Sequence, residues 1–130
     1  MARSSACRTA AINSKGETGR AAEAQARDHL ERNGLRLLAQ NWLCRRGELD
    51  LVMLDGDTVV FVEVRYRRHS GWGGALESVD ARKRERLALA AQHFLQQESR
   101  WSRSPCRFDV VAISPGQHTE LNWLQNAFET

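Results

Sequence analysis

The chain has 130 residues, 42% of them hydrophobic and 27% charged, with a formal net charge of +3. That length suits one domain with a buried core, and the balance of apolar and charged residues is that of an ordinary soluble globular protein rather than a disordered one. No apolar run approaches the roughly 20 residues of a membrane helix and the Arg- and Ser-bearing N-terminus has no signal-peptide core, so a cytoplasmic protein without a membrane partner is expected. Its three cysteines, Cys7, Cys44 and Cys106, are widely spaced and form no C-x-x-C pair. This argues against a disulfide framework or a zinc site and points to reduced, mostly buried thiols.

Residues 1–15, rich in Ser, Ala and Arg, read as a flexible lead-in, which leaves 16–130 as a single folded domain. A helix is predicted from Glu17 to Asn33, with Ala22, Ala26 and Leu30 on one stripe and Gly34 as its stop. Glu23 falls about 40° from the centre of that stripe. It can turn toward the interior, or pair with Arg27 one turn on in the favourable acid-first order.

Leu35 to Trp42, Glu48 to Leu54 and Thr58 to Arg65 read as strands, the last two joined by a hairpin signal at Asp55-Gly56-Asp57. Gly71-Trp72-Gly73-Gly74 reads as a loop, and Val79 to Gln97 as a second helix. Ser104-Pro105 closes the next connection, Arg107 to Ile113 is a fourth strand, and Ser114-Pro115-Gly116 turns the chain into a short final segment from Glu120. The order is α-β-β-β-α-β with room for one more strand, a small α/β fold with helices flanking a mixed sheet.

The chemistry concentrates in two strands. Strand side chains alternate faces, so Glu63 and Arg65 point one way and Val62 and Val64 the other. A two-residue turn at Asp55-Gly56 leaves Glu63 one diagonal step from Asp50, and a four-residue loop through Thr58 opposes the two directly. A three-residue loop sends them to opposite faces unless a bulge restores the phase. Two converging carboxylates repel and lose hydration, so one must be protonated, paired or metal-bound, and hard oxygen ligands suit Mg²⁺ or Mn²⁺. The plainer alternative is surface pairing of Asp50 and Glu63 with Arg65, Arg45 or Arg46, for which an acid inside Val-Val-Phe-Val-Glu-Val is poorly placed.

Basic residues cluster at Arg65, Arg67 and Arg68 and again at Arg82, Lys83, Arg84 and Arg86. Either cluster fits phosphate contact or a solvated surface. Lys83 begins the apolar stripe Leu87, Ala90, Phe94, so it can snorkel past the core edge or reach a phosphate or metal-bound water beside the sheet.

Several motifs taken together resemble one family: Gly19-x-x-Ala22-Glu23-x-x-Ala26, Leu30, Gly34, Asn41-Trp42, Arg46-Gly47-Glu48-Leu49-Asp50-Leu51, Phe61-Val62-Glu63-Val64-Arg65, Gly73-Gly74-Ala75, Lys83 and Asn126-Ala127-Phe128. They look like the YraN-like family of small bacterial proteins, in the PD-(D/E)xK, restriction-endonuclease-like superfamily. The resemblance runs from about Gly16 to Phe128. It implies a central mixed sheet flanked by helices, similar to archaeal Holliday-junction resolvases, and by that analogy a homodimer. It assigns metal binding to Asp50 and Glu63, with the Val64 carbonyl as a further ligand, and makes Glu23 the helix-borne acid that completes the site. Ala22 stands where the family pattern favours Gly, and Arg65 stands where it has Lys. Lysine can shift its pKa and hold an attacking water, whereas arginine stays charged and can stabilise charge but not act as a base.

The leading expectation is thus a Mg²⁺- or Mn²⁺-dependent nuclease acting on DNA, branched DNA included. In it Glu23, Asp50, Glu63 and Arg65 form the catalytic set, and Arg67, Arg82 and Lys83 hold phosphates. A second expectation, prompted by Arg65, is a nucleic-acid-binding module of the same fold without cleavage. A third is a protein-interaction adaptor using Trp72, Trp101 and Trp123.

Overall fold

The computed structural model describes residues 17–66, 81–114 and 120–128. The predicted lead-in, the Gly71–Gly74 loop, Arg67 and Trp72 lie outside these residues. Along the chain run α1 (Glu17–Arg32), β1 (Arg36–Cys44), β2 (Gly47–Asp55), β3 (Thr58–Tyr66), α2 (Ala81–Gln97), a 3₁₀ turn (Ser99–Trp101), β4 (Cys106–Ser114) and β5 (Glu120–Phe128). The strands form one mixed sheet in the order β1-β2-β3-β4-β5, antiparallel except for the parallel β3–β4 pair. This is an α/β architecture consistent with the restriction-endonuclease-like fold, and the segment from Glu120 is the additional strand.

Helix α1 ends as its glycine dictates. Gly34 takes φ +96, its N–H donates to Glu31 O at 3.0 Å, and the Leu35 N–H donates to Leu30 O at 3.1 Å. This is the paired closure in which a left-handed residue satisfies the last carbonyls, and Leu30 and Leu35 are buried in the same cluster beneath it.

Parallel neighbours cannot be joined by a hairpin, so the β3-to-β4 crossover carries α2 across one face of the sheet. Alternation then sorts the core. Val59, Phe61, Phe108 and Val110 pack with Leu87, Ala90, Ala91 and Phe94 of α2. Val60, Val62, Val111 and Ile113 pack with Ala22, Ala26 and Leu30 of α1 on the other face. On the α2 side Phe61, Phe108 and Phe128 form a stack with centroid separations of 5.3 and 5.1 Å, and Trp42 meets Phe94 edge-on at 5.3 Å.

The sheet deviates twice. In β1 the register shifts between Leu37 and Ala39; farther along, Asn41 adopts φ +53 between Gln40↔Leu51 and Trp42↔Leu49, and Leu49 and Leu51 pack on different faces. In β5 the register shifts between Phe108 and Val110, where Asn126 adopts φ +51. Asparagine tolerates the left-handed region better than most residues.

The second deviation serves Asp109, which is fully buried. Its carboxylate accepts from Arg107 Nε at 3.0 Å, Trp123 Nε1 at 2.9 Å and the Asn126 N–H at 2.9 Å. Arg107 also donates to Asp55 Oδ2 at 3.0 Å, tying β4 to the β2–β3 turn.

Trp123, half-buried, donates to Asp109 and meets His29 edge-on, and half-buried Trp101 packs against the α2-side core. One expectation is corrected. Cys44 is buried, but Cys106 is exposed at the start of β4, where burial ends.

Truncating Asp109 would strand a partly buried guanidinium and an indole N–H. Asp109→Ala is therefore expected to lower unfolding free energy by about 3 kcal/mol, and Trp123→Phe by about 1 kcal/mol. Urea denaturation reads both, and equal, negligible losses would refute this role for Asp109.

Candidate active site

The β2–β3 register settles the alternatives left open by the hairpin. Asp55 pairs with Thr58 across a two-residue Gly56-Asp57 turn, and the ladder continues to Leu51↔Val62. Gly56 has φ +65, the conformation such turns reserve for glycine. In this phase Asp50 falls opposite Glu63. Their side chains are 7% and 5% exposed, far too buried for a surface ion pair.

The two carboxylates are held differently. Asp50 Oδ2 accepts the Val64 N–H at 2.9 Å, so the β2 side chain is clamped by the β3 backbone beyond the last ladder pair. Glu63 Oε2 meets two cations, Lys83 Nζ at 3.0 Å and an Arg65 guanidinium nitrogen at 3.1 Å. Arg65 shares the face of Glu63 two residues along the strand, as alternation requires. Lys83 arrives from the first turn of α2, at the head of the stripe whose Leu87, Ala90 and Phe94 are buried.

Together these residues floor and wall a cleft of about 150 Å³ lined by Gly47, Glu48, Asp50, Glu63, Lys83, Arg86 and Leu87. Burial is the largest influence on Glu63 and the charge of Asp50 the next, and they outweigh the stabilising pull of Lys83 and Arg65. The Glu63 carboxyl is raised from 4.5 to about 7. A buried acid so raised beside a second acid and two cations, in a cleft, marks a functional-site candidate.

The remaining candidates divide. Glu23 is 2% exposed, with both carboxylate oxygens shielded from solvent, on the α1 side among Ala22 and Ala26. Its neighbour Arg27 reaches Gln40 of β1 at 2.9 Å. Among the described residues, no three His, Cys, Asp or Glu side chains gather in a way that could hold a metal ion. Of the basic cluster on α2, Arg84 lies over the Phe128 ring at 5.8 Å, while Arg82 and Arg86 are exposed. Glu48, and Arg86 of the second basic cluster, also line the cleft. Glu48 has the same strand phase as Asp50, but nothing in the residue pattern brings α2 residue 86 to the β1–β2 turn.

A model of the uncharacterised protein family UPF0102 matches residues 22–113, which include Glu23, Asp50, Glu63, Arg65 and Lys83. The chain belongs to that family. A UPF0102 protein of Ectopseudomonas mendocina is 72% identical over 118 residues, covering 91% of this chain and 99% of the relative. One of Pseudomonas fluorescens is 70% identical over 114 residues, 88% of this chain and 94% of the relative. One of Pseudomonas aeruginosa is 66% identical over 116 residues, 87% and 93% respectively. UPF0102 membership agrees with the YraN-like resemblance of the motifs. Among the described residues of this UPF0102 chain, no helix is long and apolar enough to cross a membrane.

The raised Glu63 carboxyl carries a signed pH dependence. Between about pH 4.5 and about pH 7 the folded protein keeps a proton that the unfolded chain has released. Stability from this group is therefore full below the unfolded value, falls as pH rises through that window, and is level above it. Glu63→Gln removes the effect. Between the acid and alkaline ends of the window, unfolding free energies should move by up to about 3 kcal/mol in favour of the variant relative to the parent. A difference that stays flat with pH would refute the raised carboxyl.

Proposed function

We propose that the protein is a divalent-metal-dependent nuclease that hydrolyses phosphodiester bonds in DNA, with branched DNA among its substrates. The observation that carries this reading is the buried Asp50–Glu63 pair, opposed across the hairpin and met on Glu63 Oε2 by both Lys83 and Arg65. Two hard carboxylates brought together in a polar cleft, one of them raised in pKa by burial and then by the other's charge, are a donor set suited to Mg²⁺ or Mn²⁺. Asp50, Glu63 and the Val64 carbonyl would hold the ion, whereas Glu23, buried with Ala22 and Ala26 on the α1 side, would stand apart from it. Bound there, the ion would supply Lewis-acid polarisation of the phosphoryl oxygen and a more acidic water.

The chain's own residues supply the rest. Arg65, whose guanidinium lies 3.1 Å from Glu63 Oε2, stabilises the negative charge that builds on the phosphorus oxygens. Lys83, whose ammonium sits on the same oxygen of Glu63 as the Arg65 guanidinium, orients the attacking water in place of a strand lysine. Arg82, and Arg67 just beyond the described end of β3, hold flanking phosphates.

Purified protein is expected to cut closed circular or branched DNA with Mg²⁺ or Mn²⁺ and to lose this activity on chelation. Glu63→Gln and Asp50→Asn should each abolish cleavage, and activity that survives them would refute the site. Lys83→Met should lower kcat by about 100-fold or more while leaving DNA affinity within a few fold. A loss confined to affinity would instead make Lys83 a phosphate contact.

A second reading, a DNA-binding protein of the same fold without hydrolysis, is favoured by one observation. Both nearby cations are engaged with Glu63, and no three-residue metal cluster gathers among the described residues. Salt-sensitive DNA binding with no cleavage under any divalent metal, and cleavage gained by Arg65→Lys, would establish it.

A further inference from the structure

The sheet has two edges, and among the described residues β1 pairs only with β2 and β5 only with β4. Sheet edges are ordinarily blunted by charge, by proline or by shortness, because their unpaired N–H and C=O groups otherwise recruit another strand. Neither edge is blunted in those ways. β1 and β5 are nine residues each, and residues 37–44 and 121–128 include no charged residue and no proline. Leu43, on the β1 edge, is 42% exposed.

The charges stand at the ends of the two edges, and their signs are opposite. Arg36 opens β1 and Arg45 and Arg46 follow it, whereas Glu120 opens β5 and Glu129 follows it in the sequence. Arg36, Arg45, Arg46 and Glu120 are all exposed. Two copies of β1 laid antiparallel would bring Arg36 of each to Arg45 and Arg46 of the other, and two copies of β5 would bring Glu120 to Glu129. Each edge therefore repels its own kind, while β1 and β5 attract.

The packing pattern selects the same pairing. Laid antiparallel with Arg46 level with Glu120, β1 brings Trp42 opposite Leu124, Ala39 opposite Ala127 and Leu38 opposite Phe128, and all of these pack on the α2-side core of their own copy. Opposed residues of a ladder share a face, and antiparallel union of β5 with β1 keeps the α2 faces of both sheets on one side. Each edge breaks strict alternation where two consecutive residues, Leu38-Ala39 and Ala127-Phe128, both turn to the α2 side. This register sets the two breaks against each other. It also places exposed Leu43 opposite Trp123, and the left-handed Asn41 and Asn126 within one residue of the same level.

We propose that copies of this chain join head to tail, β5 of one continuing its sheet into β1 of the next, in the register that sets Arg46 beside Glu120. The partner is a second copy because the chain carries on one edge the complement of the other in length, charge and alternation. Such a contact uses a different surface on each copy and leaves one edge of each kind free, so association proceeds by addition rather than stopping at a two-fold dimer. It does not depend on the nuclease reading, since none of the cleft carboxylates takes part.

Sedimentation velocity of the full-length protein, at concentrations up to about 1 mM, tests this. The parent should gain mass with concentration and lose it as salt is added. Arg46→Glu and Glu120→Arg should each raise the apparent dissociation constant by about 5-fold or more. Both residues are exposed, so thermal unfolding of the dilute variants should match the parent. An equimolar mixture of the two variants should recover the parent's association, because each reversed edge then meets a reversed partner. A parent that stays monomeric throughout, or variants that mixing does not rescue, would overturn the proposal. Tighter association by Arg46→Glu alone would also overturn it, because relief of repulsion between two β1 edges has that sign.

Discussion

The phase of the β2–β3 hairpin is the constraint on which the site depends. A slip of one residue would move Glu63 to the α1 face and leave Asp50 facing α2, because strand side chains alternate. The turn that sets this phase is short, glycine-led and tied down from outside. Gly56 supplies the positive φ, Arg107 of β4 binds Asp55 at its shoulder, and the Val59 N–H donates to Pro105 O at 2.8 Å. Buried apolar neighbours on both faces of β2 and β3 then penalise any other register. The crossover that makes β3 and β4 parallel adds the second requirement. It draws α2 over the same face and delivers Lys83 to Glu63.

The two buried aspartates of the sheet show how the same residue type takes opposite roles. Each sits beside a left-handed asparagine, Asn41 near Asp50 and Asn126 near Asp109. Asp109 is enclosed by a guanidinium, an indole and a backbone N–H, and it bonds the end of the sheet to its turn. Asp50 is clamped through one oxygen by a backbone N–H but faces a polar cleft and a second carboxylate. A buried acid surrounded by matched donors stabilises the fold. One set against another acid in an accessible cleft carries an electrostatic strain that Lys83 and Arg65 only partly offset.

Much of the fold was legible because it rests on local periodicity and punctuation. The Ala22/Ala26/Leu30 stripe with Gly34, the Asp55-Gly56-Asp57 turn and the β-branched run before Glu63 each correspond to an element within a few residues. The pairing of Asp50 with Glu63 was legible only as a set of alternatives, since loop length by one residue decides the face. Asp109 was missed although its setting, an acid in Phe-Asp-Val-Val-Ala-Ile, resembles that of Glu63. Sequence alone does not say which buried acid meets its donors and which meets another acid. The bond from Trp123 to Asp109 was not legible for the same reason, because its partner lies on another strand.

The sequence by itself determined the α/β class, the order of elements and the family, and it singled out candidate acids and bases. These follow from spacing along the chain, which local sterics and hydrophobic periodicity translate directly into helices and strands. Only the tertiary structure decided that Asp50 and Glu63 share a face, that Lys83 and Arg65 meet on one oxygen, and that Arg86 joins the cleft while Arg84 turns to Phe128. Those outcomes depend on strand register, on two bulges and on where a crossover helix comes to rest, which are set by packing between residues distant in sequence. Burial then shifts Glu63, an effect of surroundings that no single residue carries with it.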